Sequence, residues 1–131
     1  MKRVIVMGHG GYAEGIRKNI EMVAGLSSHM YFVDLEKEED LADLKAKVRE
    51  LLEGFAEDTD VLFACDLLGA SPFRAAAEIC IDHPGKYYAA AGLNVMALLE
   101  MDLDEGSECT MEAYVNRAIE TTKTTVAKFP E

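Results

Sequence analysis

Val4-Ile5-Val6-Met7-Gly8-His9-Gly10-Gly11-Tyr12 decides the fold. A short, uninterrupted apolar run breaks off at a glycine-rich turn, and an amphipathic pattern starts at once after it. Apolar strand, tight turn, helix is the order in which a buried parallel strand feeds a crossover helix. The glycines let the backbone turn sharply and expose its amides. A helix start just beyond them favours an anion. The one side chain with chemistry in that turn is His9.

The same alternation continues along the chain. The first strand is read as about Arg3–Gly8. A helix over roughly Tyr12–Ala24 puts Ile16, Ile20 and Val23 on one face, and Gly25 suits its stop. A second strand, about Met30–Leu35, carries Asp34 near its end. Leu41, Leu44, Val48, Leu51 and Phe55 repeat at three and four in a second helix, with Glu38, Glu39 and Asp40 expected in its first turn. Val61–Cys65 is a third strand ending at Asp66. After the loop Leu67–Ala70, Ser71 looks like an N-cap, with Pro72 at the first helical position of a helix over Phe73–Ile81. His83-Pro84-Gly85 is a turn, Tyr87–Ala91 a fourth strand, and Gly92-Leu93-Asn94 leads into a short helix, Val95–Met101. Asp102–Glu108 is an acidic loop, and a further helix runs from Met111 to about Thr121. The tail from Thr121 to Phe129 holds four threonines and a valine, which favours a late strand. The reading is a doubly wound α/β fold, with a mostly parallel sheet, helices on both faces and residues 1–131 as one domain.

Composition narrows the function. An apolar content of 50% and a charged content of 28% fit a soluble globular chain. A net charge of −11 argues against nucleic acid and anionic membranes and permits a basic protein partner. No apolar run is long enough to span a bilayer and no signal peptide is visible, so a cytoplasmic location is expected. Cys65, Cys80 and Cys109 form an odd, dispersed set without a CxxC pair, and read as reduced core thiols. His29 and His83 read as surface or turn histidines. No metal site is expected from histidines so dispersed, and no cofactor is expected: the glycine turn is not GxGxxG, no Walker lysine is present, and Asp34 is a weak ribose ligand at best.

In doubly wound sheets, ligands sit beyond the carboxyl ends of the strands. The loops after the first and third strands hold His9 and Asp66. A carboxylate that accepts a hydrogen bond from one imidazole nitrogen fixes the tautomer and leaves the other nitrogen its lone pair. That nitrogen is an oriented nucleophile. Amides of both following helix starts, at Gly10 and Gly11 and at Ser71, together with the Ser71 hydroxyl, would hold phosphoryl oxygens. Arg74 is placed to meet a phosphate or a carboxylate. Residue types alone leave a plainer alternative open, in which Gly8–Gly11 is only a tight turn and Asp66 only a cap.

Gly8-His9-Gly10-Gly11-Tyr12-Ala13-Glu14-Gly15, then Asp66-Leu67-Leu68-Gly69-Ala70-Ser71-Pro72-Phe73, then Gly92-Leu93-Asn94 with Met96-Ala97-Leu98-Leu99-Glu100, together resemble the enzyme IIA domain of the mannose family of bacterial sugar phosphotransferase systems (PTS). The resemblance runs nearly end to end. It implies a protein-histidine phosphotransferase with His9 as a tele-phosphohistidine and Asp66 as its hydrogen-bonding partner. Phosphate would be received from HPr and passed to a IIB component, with membrane IIC and IID components carrying the sugar. Leu68, Phe73 and Arg74 would lie on the partner surface. The resemblance also implies a homodimer, in some members with the C-terminal strand exchanged, which would account for the threonine-rich tail.

Three positions depart from the family pattern. Ala70 replaces a glycine, Arg74 an asparagine, and Val95-Met96 the usual leucine-proline. Ala70 adds a Cβ where the loop is expected to need positive φ. Arg74 resembles the N-acetylgalactosamine or galactosamine subgroup. Competing readings are a receiver-like module phosphorylated on Asp66, a flavodoxin-like nucleotide or flavin binder, and the phosphotransfer subunit of a dihydroxyacetone kinase.

Overall fold

The computed structural model describes residues 1–131. Its order is β1 (Lys2–His9), α1 (Tyr12–Ala24), β2 (Met30–Leu35), α2 (Leu41–Glu53), β3 (Asp60–Cys65), α3 (Ser71–Ile81), β4 (Tyr87–Ala91), α4 (Val95–Leu103) and α5 (Met111–Thr125). The four strands form one sheet in the order β2-β1-β3-β4, parallel throughout. From β1 the chain goes outward to β2, then returns to place β3 on the other side of β1. The crevice at the carboxyl ends of β1 and β3 is therefore the topological switch point.

The strands read as continuous apolar runs because both faces are covered. Their side chains alternate between two cores. Val4, Val6, Leu62 and Ala64 pack with α1, α4 and α5. Ile5, Met7, Val61, Phe63 and Cys65 pack with α2 and α3. This two-sided burial fixes the register, since a one-residue slip would exchange the two sets. Register carries the functional residues with it: Met7 pairs with Cys65, so His9 and Asp66 emerge at one edge.

Several local expectations are corrected. Asp40 is the N-cap of α2 and forms a capping box with Asp43, so Glu38 and Glu39 precede the helix. Ser71 is the first residue of α3 and Ala70 is its N-cap. Residues Thr121–Thr125 belong to α5, and the last six residues are irregular, so no late strand forms within the chain. The threonines are helical because their hydroxyls find partners there. Thr124 and Thr125 donate back to the carbonyls of Glu120 and Thr121, at 2.9 and 2.6 Å. Thr121 donates to Glu100, and Thr122 accepts the Asn94 amide at 3.1 Å. His29 is buried, 4% exposed, and its Nε2 bonds the Met101 carbonyl at 2.7 Å, which ties the start of β2 to the end of α4. His83 does lie in the turn after α3, stacked on Tyr87 with centroids 4.1 Å apart. All three cysteines are free thiols. No helix is long and apolar enough to cross a membrane.

Candidate functional site

His9 is the last residue of β1, and Asp66 follows the last residue of β3. The Asp66 amide donates to the Met7 carbonyl at 3.0 Å, which extends the ladder by one step and aims the carboxylate back at β1. Asp66 Oδ2 then accepts two hydrogen bonds from His9: from the backbone amide at 3.0 Å and from ring Nδ1 at 2.7 Å. Its other oxygen, Oδ1, accepts the Leu67 amide at 2.7 Å. The carboxylate is thus fully engaged on the His9 side and its own loop. With Nδ1–H donated to Asp66, Nε2 carries the lone pair, and it has no partner within the protein. The imidazole side chain is 44% exposed, whereas that of Asp66 is 11% exposed.

The electrostatics follow from these bonds. Burial works to raise the Asp66 carboxyl, but hydrogen bonds from the His9 ring, the His9 amide and the Leu67 amide outweigh it and hold it below its ordinary value. Asp66 is therefore an anion at neutral pH, able to stabilise an imidazolium. Tyr12 lies next to this pair. Burial first, then the Asp66 charge, push its hydroxyl above the ordinary value, so it stays neutral. A Cβ on Gly8 would stand 2.5 Å from Tyr12 Cδ2 and 2.6 Å from Tyr12 Cβ, so glycine is required for α1 to pack this close to the strand end.

Two helix starts follow the two site residues, and they differ. In α1, the amides of Ala13 and Glu14 are taken by the Asp34 carboxylate at 2.8 and 3.1 Å. The Gly10 amide goes to the Leu35 carbonyl at 2.9 Å. Gly10 is therefore not the phosphate donor expected of it; of the glycine pair, only the Gly11 amide is without a protein acceptor. In α3 no side chain caps the first turn. The amides of Ser71 and Phe73 have no acceptor in the chain, and Leu68 and Gly69 before them likewise donate to none. Asp34, not singled out as a site residue from the sequence, had one signal there: an acid near the end of the strand next to that of His9.

Leu68 is 81% exposed and Arg74 is exposed. Phe73 is partly buried against the core of Ile5, Met7 and their neighbours, so it is less a surface residue than expected. Ala70 has φ −79° and ψ 175°, an extended conformation open to any residue, and the positive φ of this loop falls on Gly69 at +80°. The extra Cβ of Ala70 therefore strains nothing. Asn94 caps α4 through the Ala97 amide, and its Nδ2 donates to Thr125 at 2.8 Å. No group of three or more His, Cys, Asp or Glu side chains is placed to hold a metal ion.

Residues 3–123 match the family described as PTS system fructose IIA component, EIIA-man. The chain belongs to this family. The IIA chain is 32% identical over 101 residues to the "PTS system fructose-specific EIIA component" of Bacillus subtilis (strain 168), covering 77% of this chain and 68% of that one. It is 32% identical over 122 residues to the "PTS system mannose-specific EIIAB component" of Escherichia coli (strain K12), covering 92% of this chain and 38% of the relative. The IIA chain thus spans well under half of that longer protein. Among solved structures, the phosphotransferase system component EIIA from Streptococcus agalactiae superposes with a TM-score of 0.88 at 22% identity, over 98% of each chain. That likeness concerns the fold, and it confirms the doubly wound α/β architecture. As a IIA component, the chain is part of a sugar phosphotransferase system.

Proposed function

We propose that this IIA protein carries a phosphoryl group on Nε2 of His9, received from phospho-HPr and delivered to a IIB component. The observation that supports it most is the 2.7 Å contact between His9 Nδ1 and Asp66 Oδ2, with Nε2 left open. In the forward step, the Nε2 lone pair forms the N–P bond as the bond from phosphorus to the donor breaks. The Nδ1 proton stays between ring and carboxylate, and the positive charge gained by the ring is balanced by Asp66. Transfer to IIB reverses these changes. The protein's task is positioning and charge balance. Amides of the uncapped α3 start, with the Ser71 hydroxyl, face the same task for the phosphoryl oxygens.

Partner docking finds support in the surface around the crevice. Leu67 and Leu68 after β3, and Val95 and Met96 at the start of α4, are 59%, 81%, 37% and 53% exposed. They form an apolar rim at the strand ends, while the net charge of −11 suits a basic partner. The receiver-like reading finds no support: Gly8 and His9 end β1 where acidic metal ligands would be needed, and both Asp66 oxygens are already engaged.

The test is incorporation of phosphate from phosphoenolpyruvate through enzyme I and HPr. The wild-type protein takes up acid-labile phosphate and His9→Ala takes up none. Undiminished labelling of His9→Ala would defeat the proposal. Onward transfer to IIB, as against a dihydroxyacetone kinase, separates sugar uptake from the kinase alternative.

A further inference from the structure

Asp34 is the next-to-last residue of β2, and the register pairs it with Gly8, next to His9. Its two carboxylate oxygens take the Ala13 and Glu14 amides, at 2.8 and 3.1 Å. The following residue, Leu35, takes the Gly10 amide through its carbonyl at 2.9 Å. The end of β2 therefore grips the turn after His9 at three amides. Gly11, the N-cap of α1, has no side chain to do this work. A helix start carries about half a positive charge, which a carboxylate in this position cancels. The start of α3, by contrast, has no capping side chain.

The geometry points to Asp34 as a positioning residue that closes the Ala13 and Glu14 amides of the α1 start to the phosphoryl group, so that phospho-His9 is held chiefly from the α3 side and keeps its tendency to transfer. This rests on the phosphocarrier reading of His9. A carrier gains nothing from holding its phosphoryl group as tightly as its helix starts allow. Interactions that stabilise the loaded state without stabilising the transition state only deepen the well from which transfer must start. Asp34 fills one of the two anion positions with the protein's own charge. It also fixes the first turn of α1, while the Leu35 carbonyl fixes Gly10 beside His9.

The test compares wild type, Asp34→Asn and Asp34→Glu at phosphoryl equilibrium with phospho-HPr, with loaded and unloaded proteins counted by intact mass. Asp34→Asn shifts the exchange constant toward phospho-His9 by about two- to fivefold, the factor expected for one charge at a helix end. Asp34→Glu restores it toward wild type. Simple loosening of the site would shift the constant the other way. A second readout needs no variant. On phosphorylation of the wild-type protein, the amide NMR signals of Ser71 and Phe73 move, and those of Ala13 and Glu14 stay. An unchanged or oppositely shifted exchange constant in a folded Asp34→Asn, or displaced Ala13 and Glu14 signals in wild type, overturns the assignment. Failure of wild type to load His9 at all defeats the phosphocarrier reading itself, and this inference with it.

Discussion

Replacing Asp66 by Asn keeps the size of the side chain and removes its charge. Asp66 presents acceptors on both sides: Oδ2 to the His9 amide and ring, Oδ1 to the Leu67 amide. An amide has one acceptor oxygen. Turned toward His9, it sets its NH2 against the Leu67 N–H. Turned toward Leu67, it sets its NH2 against the His9 amide and ring, and forces Nδ1 to accept. In that orientation the proton moves to Nε2 and the nucleophilic lone pair is lost. Either way, at least one hydrogen bond to a charged group disappears, worth about 1.5–3 kcal/mol, and so does the balance of charge on the ring. At about 1.4 kcal/mol per factor of ten, the rate of phosphoryl uptake by Asp66→Asn falls about 10- to 100-fold. Rapid-quench measurement of loading from phospho-HPr reads this directly, with circular dichroism confirming the fold. A rate within threefold of wild type would refute the role given to the carboxylate.

Further outcomes follow from the same geometry. Gly8→Ala places a Cβ against Tyr12 Cδ2 and Cβ, at 2.5 and 2.6 Å, and lowers stability by about 1–3 kcal/mol in urea unfolding; Tyr12→Ala on that background rescues only in part, because its own Cβ remains. Asn94→Ala removes the α4 cap and the tie to Thr125, and costs about 1–2 kcal/mol by the same assay. The folded-state lowering of Asp66 contributes stability that is fully present above the unfolded carboxyl value of about 3.9 and is lost as pH falls below it toward the folded value, so wild type and Asp66→Asn converge in stability on acidification. Burial pushes Cys65 up to about 12 and Cys80 up to about 11, so neither reacts with iodoacetamide in the native protein at pH 8, and both react in urea.

The sheet was legible because its strands are sandwiched: Val4–Met7 and Val61–Cys65 are unbroken apolar runs, and α2 carries an unambiguous three-four repeat. The His9–Asp66 contact follows from topology, since His9 ends one of two neighbouring parallel strands of matched register and Asp66 follows the end of the other. What the sequence hid were bonds made between elements distant along the chain. Threonine's preference for strands describes its side chain on a sheet, and at Thr121–Thr125 that preference yields to hydroxyls that bond helix carbonyls and the α4 start. The burial of His29 depends on a carbonyl at the far end of α4. Asp34 looked like a weak ribose ligand because its partners, two amides of α1, carry no side-chain signature at all.

The ring nitrogens of His9 in the loaded protein report directly on the role assigned to the His9–Asp66 pair. Long-range 1H–15N correlation of 15N-labelled protein, phosphorylated through enzyme I and HPr, assigns proton and phosphate to each nitrogen. Phosphorus is expected on Nε2, with a retained proton on Nδ1 shared with Asp66. Phosphorus on Nδ1, or on any residue other than His9, would contradict it.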